Sequence, residues 1–228
     1  MLATYRRSGG HPPRSDEMLE VEDSGEAFLR RVVALNRAGS FASELSDVEL
    51  EALRKAVKAV GNSTVTIDAP GRPPYEIEEL SSDAASLKFH PAQKLPKAVR
   101  TLRDQMLEVA EGVIEHPIAG MELSVAAESG TVSVQAIGSE AVEANWDSAA
   151  VTFDLFGKDE ALLTSGTVAL ETPSGIEVHA PGWRCLGKLV IDFHPDQTLQ
   201  VRLRLGLKYA DGAWRQAEIT AVEGKGWS

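Results

Sequence analysis

The sequence has one cysteine, Cys185, so no disulfide can form within the chain. It also has no run approaching the roughly 18 uninterrupted apolar residues that a membrane-spanning helix needs. The first residues lack the apolar segment of a secretory signal. These absences favour a protein of a reducing, cytoplasmic compartment that has no membrane partner.

Basic residues are scarce relative to acidic ones. The chain has 23 lysines and arginines against 34 aspartates and glutamates, a formal net charge of −11. A negative chain repels the phosphates of nucleic acids and the surface of anionic lipids unless its cations are locally concentrated. We therefore expect no nucleic-acid partner, whereas a protein partner is compatible with this charge.

Several catalytic signatures are missing as well. The sequence contains no glycine-rich phosphate loop, no GxSxG elbow, no HExxH pair and no paired zinc-ribbon cysteines. The most common nucleotide-binding, α/β-hydrolase and metalloprotease chemistries are therefore excluded. Other kinds of catalysis are not excluded by these absences.

Composition changes twice along the chain and predicts three regions. Residues 1–24 contain Gly-Gly and Pro-Pro pairs and little apolar surface, which predicts a disordered tail. Residues 25–118 carry apolar residues at helical spacing around a short strand pair. Residues 119–225 alternate apolar and polar residues between tight turns, which predicts an antiparallel β domain.

The first predicted helix covers residues 25–39, GEAFLRRVVALNRAG. Its apolar residues Phe28, Val32 and Leu35 would lie on one helical face, and it ends on a glycine.

Two further helices have clearer boundary signals. Ser46 and Glu49 have the spacing of a capping box, and Gly61 provides a stop for the same helix. Pro96 suits the first turn of a third helix, whose apolar residues are spaced by three and four.

The last hundred residues have the two-residue period of strands. The clearest example is the alternation of Val201, Leu203, Leu205, Leu207 and Tyr209 with polar residues. The predicted fold class is therefore α+β: about three N-terminal helices packed with a C-terminal antiparallel β-sandwich or up-and-down barrel of about eight short strands.

One cluster of side chains has the donor types of a metal site. Residues two apart on a strand share a face, so Glu177 with His179, and Asp192 with His194, could point into one space from neighbouring strands. Two imidazoles and two carboxylates suit zinc, manganese or non-haem iron. The alternative is a solvent-facing row of polar residues opposite an apolar core face.

Three cations alternate with the apolar residues of one predicted strand. Arg202, Arg204 and Lys208 would form a basic ladder that could meet an acidic partner. The alternative is cross-strand pairing with a carboxylate such as Glu218 in the final hairpin.

Two residue types of the β region allow further interpretations. The tryptophans Trp146, Trp183, Trp214 and Trp227 could line a ligand cavity if the strands close as a barrel, or they could plug the core. Cys185 could be a nucleophile, or a small buried apolar residue.

Together these patterns favour a non-enzymatic protein-binding or assembly module, which binds a protein partner or associates with itself and needs no cofactor. Two alternatives remain open at this stage. One is a metal-dependent enzyme of the hydrolase type that uses Glu177, His179, Asp192 and His194 with a divalent metal ion. The other is a β-barrel that binds a small molecule.

Overall fold

The structure is a computed structural model, and it describes residues 1–10, 15–61, 63–65, 76–191, 194 and 196–224. Within these residues the chain forms 15 strands and two α-helices. The strands are β1 Ala3–Gly9, β2 Ser15–Val21, β3 Glu26–Leu35, β4 Arg37–Glu44, β5 Glu76–Ser81, β6 Ser86–Phe89, β7 Pro117–Ala126, β8 Thr131–Gly138, β9 Val142–Phe156, β10 Leu162–Thr167, β11 Ala169–Leu170, β12 Ile176–His179, β13 Arg184–Lys188, β14 Thr198–Lys208 and β15 Trp214–Gly224. The helices are α1 Asp47–Val60 and α2 Lys97–Val113, and a 3-10 turn spans Ala127–Ser129.

The predicted fold class is wrong. Strands make up 56% of the described residues and helices only 16%, so this part of the chain is mostly antiparallel sheet. The sequence predicts about three N-terminal helices and about eight C-terminal strands. In the described part of the chain, six strands precede β7 and only two α-helices form. The prediction failed mainly because the first strands were interpreted as tail or helix.

Residues 25–39, predicted to be helical, form most of the β3–β4 hairpin. Phe28 and Leu35 of the proposed helical face are 43% and 44% exposed, whereas Ala27 and Leu29 are buried. The segment thus buries alternate residues at its start, as a strand does. Asn36 makes the turn between the two strands with a positive φ of 61°.

The N-terminal segment is also strand. Residues 1–24, where the sequence predicts a disordered tail, contain β1 and β2, which pair in antiparallel register from Ala3 with Val21 to Gly9 with Ser15. Ala3, Tyr5, Leu19 and Val21 are buried. The alternating apolar residues of these strands bury enough surface to order the segment, although its average composition is polar.

The other two predicted helices are confirmed. Ser46 is the N-cap of α1 and forms the capping box with Glu49. Pro96 directly precedes α2, in the N-cap position, and the buried face of α2 includes Val99, Leu102 and Met106. None of the described helices is long and apolar enough to cross a membrane.

The chain divides into two compact units. The first contains Met1–Arg31 and Ser40–Pro117, and the second contains Val32–Gly39 and Ile118–Ser228. Strands β3 and β4 contribute to both.

In the first unit the strand order is β6, β5, β1, β2, β3 and β4. Helices α1 and α2 pack against each other, and each buries one apolar face.

The first unit also contains a buried ion pair. Glu78 of β5 is 1% exposed, and Arg103 of α2 reaches it with two nitrogens, Nη2 lying 2.7 Å from Oε1. The hydrogen bond to Glu78 raises the pKa of Arg103, although burial opposes the shift. Tyr5 lies close enough for the charge of Glu78 to affect it, and burial raises the pKa of its phenol above the usual range.

In the second unit the strand order is β10, β9, β14, β15, β3, β4, β7, β8, β13 and β11, with β12 beside the first part of β9. Strand β9 pairs with β10, β12 and β14 in antiparallel register, as do β14 with β15, β7 with β8, β8 with β13 and β13 with β11. Strand β15 pairs with β3 in parallel. Val168 alone separates β10 from β11, and its N–H donates to the carbonyl of Val151 in β9. This short link brings the last strand of the order back beside the first.

The core of the second unit is formed by the apolar side chains of these strands. The predicted alternation of β14 is confirmed: Val201, Leu203, Leu205 and Leu207 are at most 1% exposed, and Tyr209 is buried directly after the strand. The intervening side chains of β14 therefore lie on the outer surface, and they position the candidate site.

Candidate functional site

The candidate site is centred on Gly206, near the end of the outward face of β14. Gly206 pairs with Asn145 of β9 on one side and with Gln216 of β15 on the other. A β-carbon at Gly206 would lie 3.1 Å from the Asn145 β-carbon and 3.8 Å from Trp214 Cε3. The absence of a side chain therefore leaves a depression between the neighbouring strands.

A bulge in β9 forms one side of this depression. On β14 the pairing advances from Arg204 to Gly206, whereas on β9 it moves from Ala150 to Asn145, so four residues of β9, 146–149, oppose a single residue of β14. Bulges of this kind re-aim side chains and bend the strand. Here the bulge turns Trp146 inward and leaves the following residues of β9 on the surface.

Hydrogen bonds hold the bulge in place. The N–H of Asp147 donates to the side chain of Asn145 at 3.0 Å, and the carboxylate of Asp147 accepts the N–H of Gly175 at 2.8 Å. The carbonyl of Gly175 in turn accepts the N–H of Trp146. The start of β12 is thereby tied to the bulge, next to the depression.

The depression has a volume of about 310 Å³ and is open to solvent. Two large apolar side chains on its rim are exposed: Ile176 of β12 is 59% exposed and Trp214 of β15 is 42% exposed. Val178, two residues after Ile176 on the same face of β12, is 66% exposed. The complete lining is Asn145, Ser148, Ile176, Gly206, Trp214, Arg215 and Gln216. We call this region the Trp214 surface.

Each of the three cations predicted as a basic ladder has a carboxylate partner. Arg202 pairs with Asp154, Arg204 Nε lies 2.6 Å from Glu218, and Lys208 Nζ lies 2.7 Å from Glu143. The cross-strand alternative, including its Glu218 partner, is thus observed at Arg204. Two of these pairs, those of Arg204 and Lys208, lie on either side of the Gly206 depression along β14.

Arg215 completes the charge around the depression. Its guanidinium bonds both oxygens of Asp211, at 2.8 and 2.7 Å, and lies over the ring of Tyr209 at 5.2 Å from the centroid. The charged side chains Arg204, Lys208 and Arg215 around the Trp214 surface are therefore each neutralised by a carboxylate of the same chain.

Inside the unit, the bulge places Trp146 in a buried aromatic cluster with His179 and Trp183. The indole N–H of Trp146 donates to His179 Nε2 at 2.8 Å. The imidazole also stacks on Trp183, with ring centroids 3.8 Å apart and an interplanar angle of 26°. Trp146 and His179 are 4% and 3% exposed, so this cluster fixes the bulge from the inside.

The environment of this cluster favours the neutral form of His179. Burial lowers the pKa of His179 below the ordinary 6.5, and the nearby charge of Glu177 opposes this shift only partly. The hydrogen bond acts in the same direction, because a Nε2 that accepts the indole N–H cannot also carry a proton.

Because the pKa of His179 is lower in the folded chain, the unfolded chain binds more protons as the pH falls below about 6.5. We therefore expect the second unit to lose stability as the pH falls from about 6.5 through the lowered pKa. The replacement His179→Gln keeps an acceptor for Trp146 but removes this titration. Unfolding measured by tryptophan fluorescence across this pH range should show a smaller pH dependence in His179→Gln, and an identical dependence would contradict the assignment.

The structure describes three of the four residues of the predicted metal site. His179 is buried with its Nε2 engaged by Trp146, whereas Glu177 and His194 are exposed and Asp192 lies outside the described residues. Among the described residues, no three His, Cys, Asp or Glu side chains are grouped so that they could hold a metal ion.

Cys185 of β13 is 6% exposed within the core of the second unit. Burial raises the pKa of its thiol to about 11, so almost none of it is thiolate at neutral pH. This environment fits the interpretation of Cys185 as a small buried apolar residue. It does not fit the interpretation of Cys185 as a nucleophile.

The sequence-based reasoning did not find Ile176 and Gly206, and it treated Trp214 only as a possible cavity residue. One signal was present: Trp214 comes two residues after Gly212 of the Asp211-Gly212 hairpin turn, at an outward position of an alternating strand. Gly206 contributes to the candidate site only because of the four-residue bulge in β9. No local sequence pattern revealed that bulge.

Comparisons with known proteins assign no family to this chain. No protein-family model matches the chain, and no curated protein matches it. One solved structure has a TM-score of 0.20 and 10% sequence identity over 97% of this chain and 81% of that chain. Its description is "Complete structure of manganese lipoxygenase of Gaeumannomyces graminis and partial structure of zonadhesin of Komagataella pastoris". A similarity this low transfers neither fold nor function.

Proposed function

We propose that this chain is a non-enzymatic protein-binding module, and that the Trp214 surface is its contact site. The observation that carries the proposal is the pair of exposed side chains, Trp214 and Ile176, on either side of the depression at Gly206. Single exposed apolar residues are ordinary, but a group of them around a concavity is typical of interfaces.

The composition of the surface supports this function. Tryptophan and arginine are enriched among the residues that dominate binding energy, and such residues are surrounded by polar contacts that exclude water. Trp214 and Ile176 would supply the apolar anchors, and Arg215 with Gln216 would supply the polar rim. The flanking ion pairs of Arg204 and Lys208 are already satisfied within the chain.

The charge of the surface indicates the kind of partner. The chain has a net charge of −11, but the cations and carboxylates around this depression neutralise each other. A partner with an uncharged, apolar contact residue can therefore approach without leaving a charge buried and unpaired.

The size of the depression favours a side chain over a small ligand. Small-molecule sites are concave pockets of about 300–1,000 Å³ that bury most of the ligand. At about 310 Å³ and open to solvent, this depression lies at the lower limit and would leave a ligand exposed. One large apolar side chain from another protein fits it better.

The test compares two exposed aliphatic residues on the outer surface. Ile176 borders the depression, whereas Leu186 of β13 is 48% exposed and does not line it. Ile176→Asn should remove binding, and the matched change Leu186→Asn should not. Both variants should unfold at nearly the wild-type temperature, because exposed substitutions usually alter stability by about 0.5 kcal/mol or less.

The wild type and both variants are immobilised and exposed to extract from cells that express the chain. The proposal predicts a protein that binds the wild type and Leu186→Asn but at least tenfold less to Ile176→Asn, with the difference then measured on the purified partner. It is contradicted if every bound protein binds the two variants equally. If light scattering shows an oligomer that only Ile176→Asn dissociates, the partner is a second copy of the chain.

A further inference from the structure

Strand β12 is hydrogen-bonded to the β9 bulge at both of its ends. Just before β12 begins, the N–H of Gly175 donates to the carboxylate of Asp147 at 2.8 Å, and its carbonyl accepts the N–H of Trp146 at 2.8 Å. At the last residue of β12, His179 Nε2 accepts the indole N–H of Trp146 at 2.8 Å. The first residue of the bulge is therefore held by its backbone at one end of β12 and by its side chain at the other.

Both of these segments line the depression of the Trp214 surface. Asn145, which directly precedes the bulge, and Ser148 within it form one side, and Ile176, the first residue of β12, is also part of the lining. A movement of Trp146 therefore displaces lining residues from both β9 and β12.

A single proton is enough to break the bond between His179 and Trp146. In a neutral imidazole one nitrogen donates and the other accepts, whereas both nitrogens of an imidazolium are donors. Because Nε2 accepts the indole N–H, protonation would bring two N–H groups against each other. The stack on Trp183 does not oppose the charge, since a cation is attracted to the face of an indole ring. Protonation therefore releases Trp146 and leaves the stack with Trp183 in place.

The charged groups on β12 and on the strand paired with it do not replace this bond. Glu177 of β12 is exposed, and its charge favours the imidazolium, whereas burial has the larger and opposite effect on the pKa of His179. On β9, Glu143 is bonded to Lys208 of β14 at 2.7 Å. Neither carboxylate accepts a hydrogen bond from the indole of Trp146, so neither can hold the bulge when His179 is charged.

The other element next to the imidazole is β13, which directly follows Trp183. Its Arg184 is exposed and donates to the side chain of Gln135 at 2.7 Å. Its Cys185 is buried, and the raised pKa of about 11 keeps the thiol uncharged at neutral and acidic pH. Within the described residues of these strands, Glu177 is thus the group whose charge acts on His179.

We propose that His179 is a pH-sensitive switch for the Trp214 surface: in acid the imidazolium releases Trp146, the bulge and the start of β12 shift, and the surface loses the shape that a partner contacts. This proposal rests on the function proposed above for that surface.

The sign of the pH dependence follows from the hydrogen bond. An imidazole released from Trp146 takes up a proton as the pH falls below about 6.5, whereas the bonded imidazole resists protonation. The released form therefore gains population as the pH falls, by at most about tenfold for each pH unit, because one proton is bound.

The experiment follows the tryptophans of the full chain, labelled with 5-fluorotryptophan, by fluorine NMR from about pH 7.5 to about pH 5.0. The six-membered ring of Trp214 reports on the depression, because a β-carbon at Gly206 would lie 3.8 Å from its Cε3 and 3.1 Å from the β-carbon of Asn145. Trp146→Phe and Trp214→Phe assign the two resonances. No partner is needed, so a failure of this test is distinguishable from a failure of the proposed function.

In the wild type, the resonances of Trp146 and Trp214 should move together, with one midpoint below about pH 6.5. His179→Gln keeps an acceptor for the indole but does not titrate, so both resonances should stay at their neutral positions. The matched change His194→Gln, at an exposed histidine of the same unit, should leave the titration as in the wild type.

Trp146→Phe provides a second variant that does not depend on His179→Gln. It keeps an aromatic ring in the cluster but removes the indole N–H. The resonance of Trp214 should then be displaced already at about pH 7.5 and should no longer respond to pH, since the bond that the proton breaks is absent.

Three outcomes would overturn the proposal. The first is a Trp214 resonance that stays in place across the pH range in the wild type. The second is a displacement in His179→Gln equal to that of the wild type. The third is convergence of all the resonances on one position, because the unit would then unfold in acid instead of releasing Trp146.

Discussion

Truncation of Trp146 to alanine should lower the free energy of unfolding of the second unit by about 3–5 kcal/mol. The indole is 4% exposed, contacts His179 and Trp183, and donates its N–H to His179 Nε2. The substitution removes this packing and leaves a cavity, and it also leaves the imidazole acceptor without its partner. The β9 bulge would lose its inner support, so the Gly206 depression should be altered as well.

Tryptophan fluorescence is a suitable probe, because Trp146, Trp183 and Trp214 belong to the second unit and the sequence of the first unit contains no tryptophan. Denaturant unfolding of Trp146→Ala is compared with that of Trp214→Ala, which removes the same side chain from a position that is 42% exposed. The exposed replacement should cost less than about 1 kcal/mol. Equal losses for the two variants would show that Trp146 does not support the bulge as described.

Removal of Arg103 should have a comparable effect on the first unit. Glu78 is 1% exposed and receives two hydrogen bonds from Arg103, so Arg103→Ala would leave a carboxylate buried without a counter-charge. Breaking a buried pair from one side typically costs about 3–5 kcal/mol. Both helices belong to the first unit, so the helical circular dichroism signal follows its unfolding.

Two controls test whether the stability lost in Arg103→Ala comes from the unpaired charge of Glu78. Arg204→Ala breaks the pair with Glu218, but Arg204 is 55% exposed, so the cost should be at most about 1 kcal/mol. The double replacement Arg103→Met with Glu78→Leu should be more stable than Arg103→Ala, because no charge is then left buried. A double variant as unstable as the single one would indicate that packing, and not charge, stabilises this position.

Individual helices and strands could be predicted from the sequence where a single sequence signal dominates the segment. The capping box of Ser46 and Glu49 specifies the start of α1 from four residues, and the strict alternation from Val201 to Tyr209 specifies which side of β14 is buried. Residues 25–39 carry apolar residues compatible with both periods. In that segment the pairing of β3 with β2, β4 and β15 determines the structure, and β15 is distant in the sequence.

The site was less predictable than the strands that form it. Glu177 and His179 were recognised as polar residues on one strand, but the partner of His179 is Trp146, which the β9 bulge turns inward. The bulge is defined by long-range pairing with β14 and by the bonds of Asp147 to Gly175. Only Arg204 with Glu218 followed from the simple rule that cross-strand neighbours interact.

The account as a whole depends on the claim that the Trp214 surface contacts a partner protein. The most direct measurement is photo-crosslinking with p-benzoylphenylalanine, incorporated at position 214 in one sample and at position 186 in another. The aromatic replacement at 214 retains a large apolar ring beside Gly206, and position 186 is a similarly exposed site outside the depression. The account predicts a crosslinked partner from position 214 and none from position 186, and a crosslink from 186 alone would contradict it.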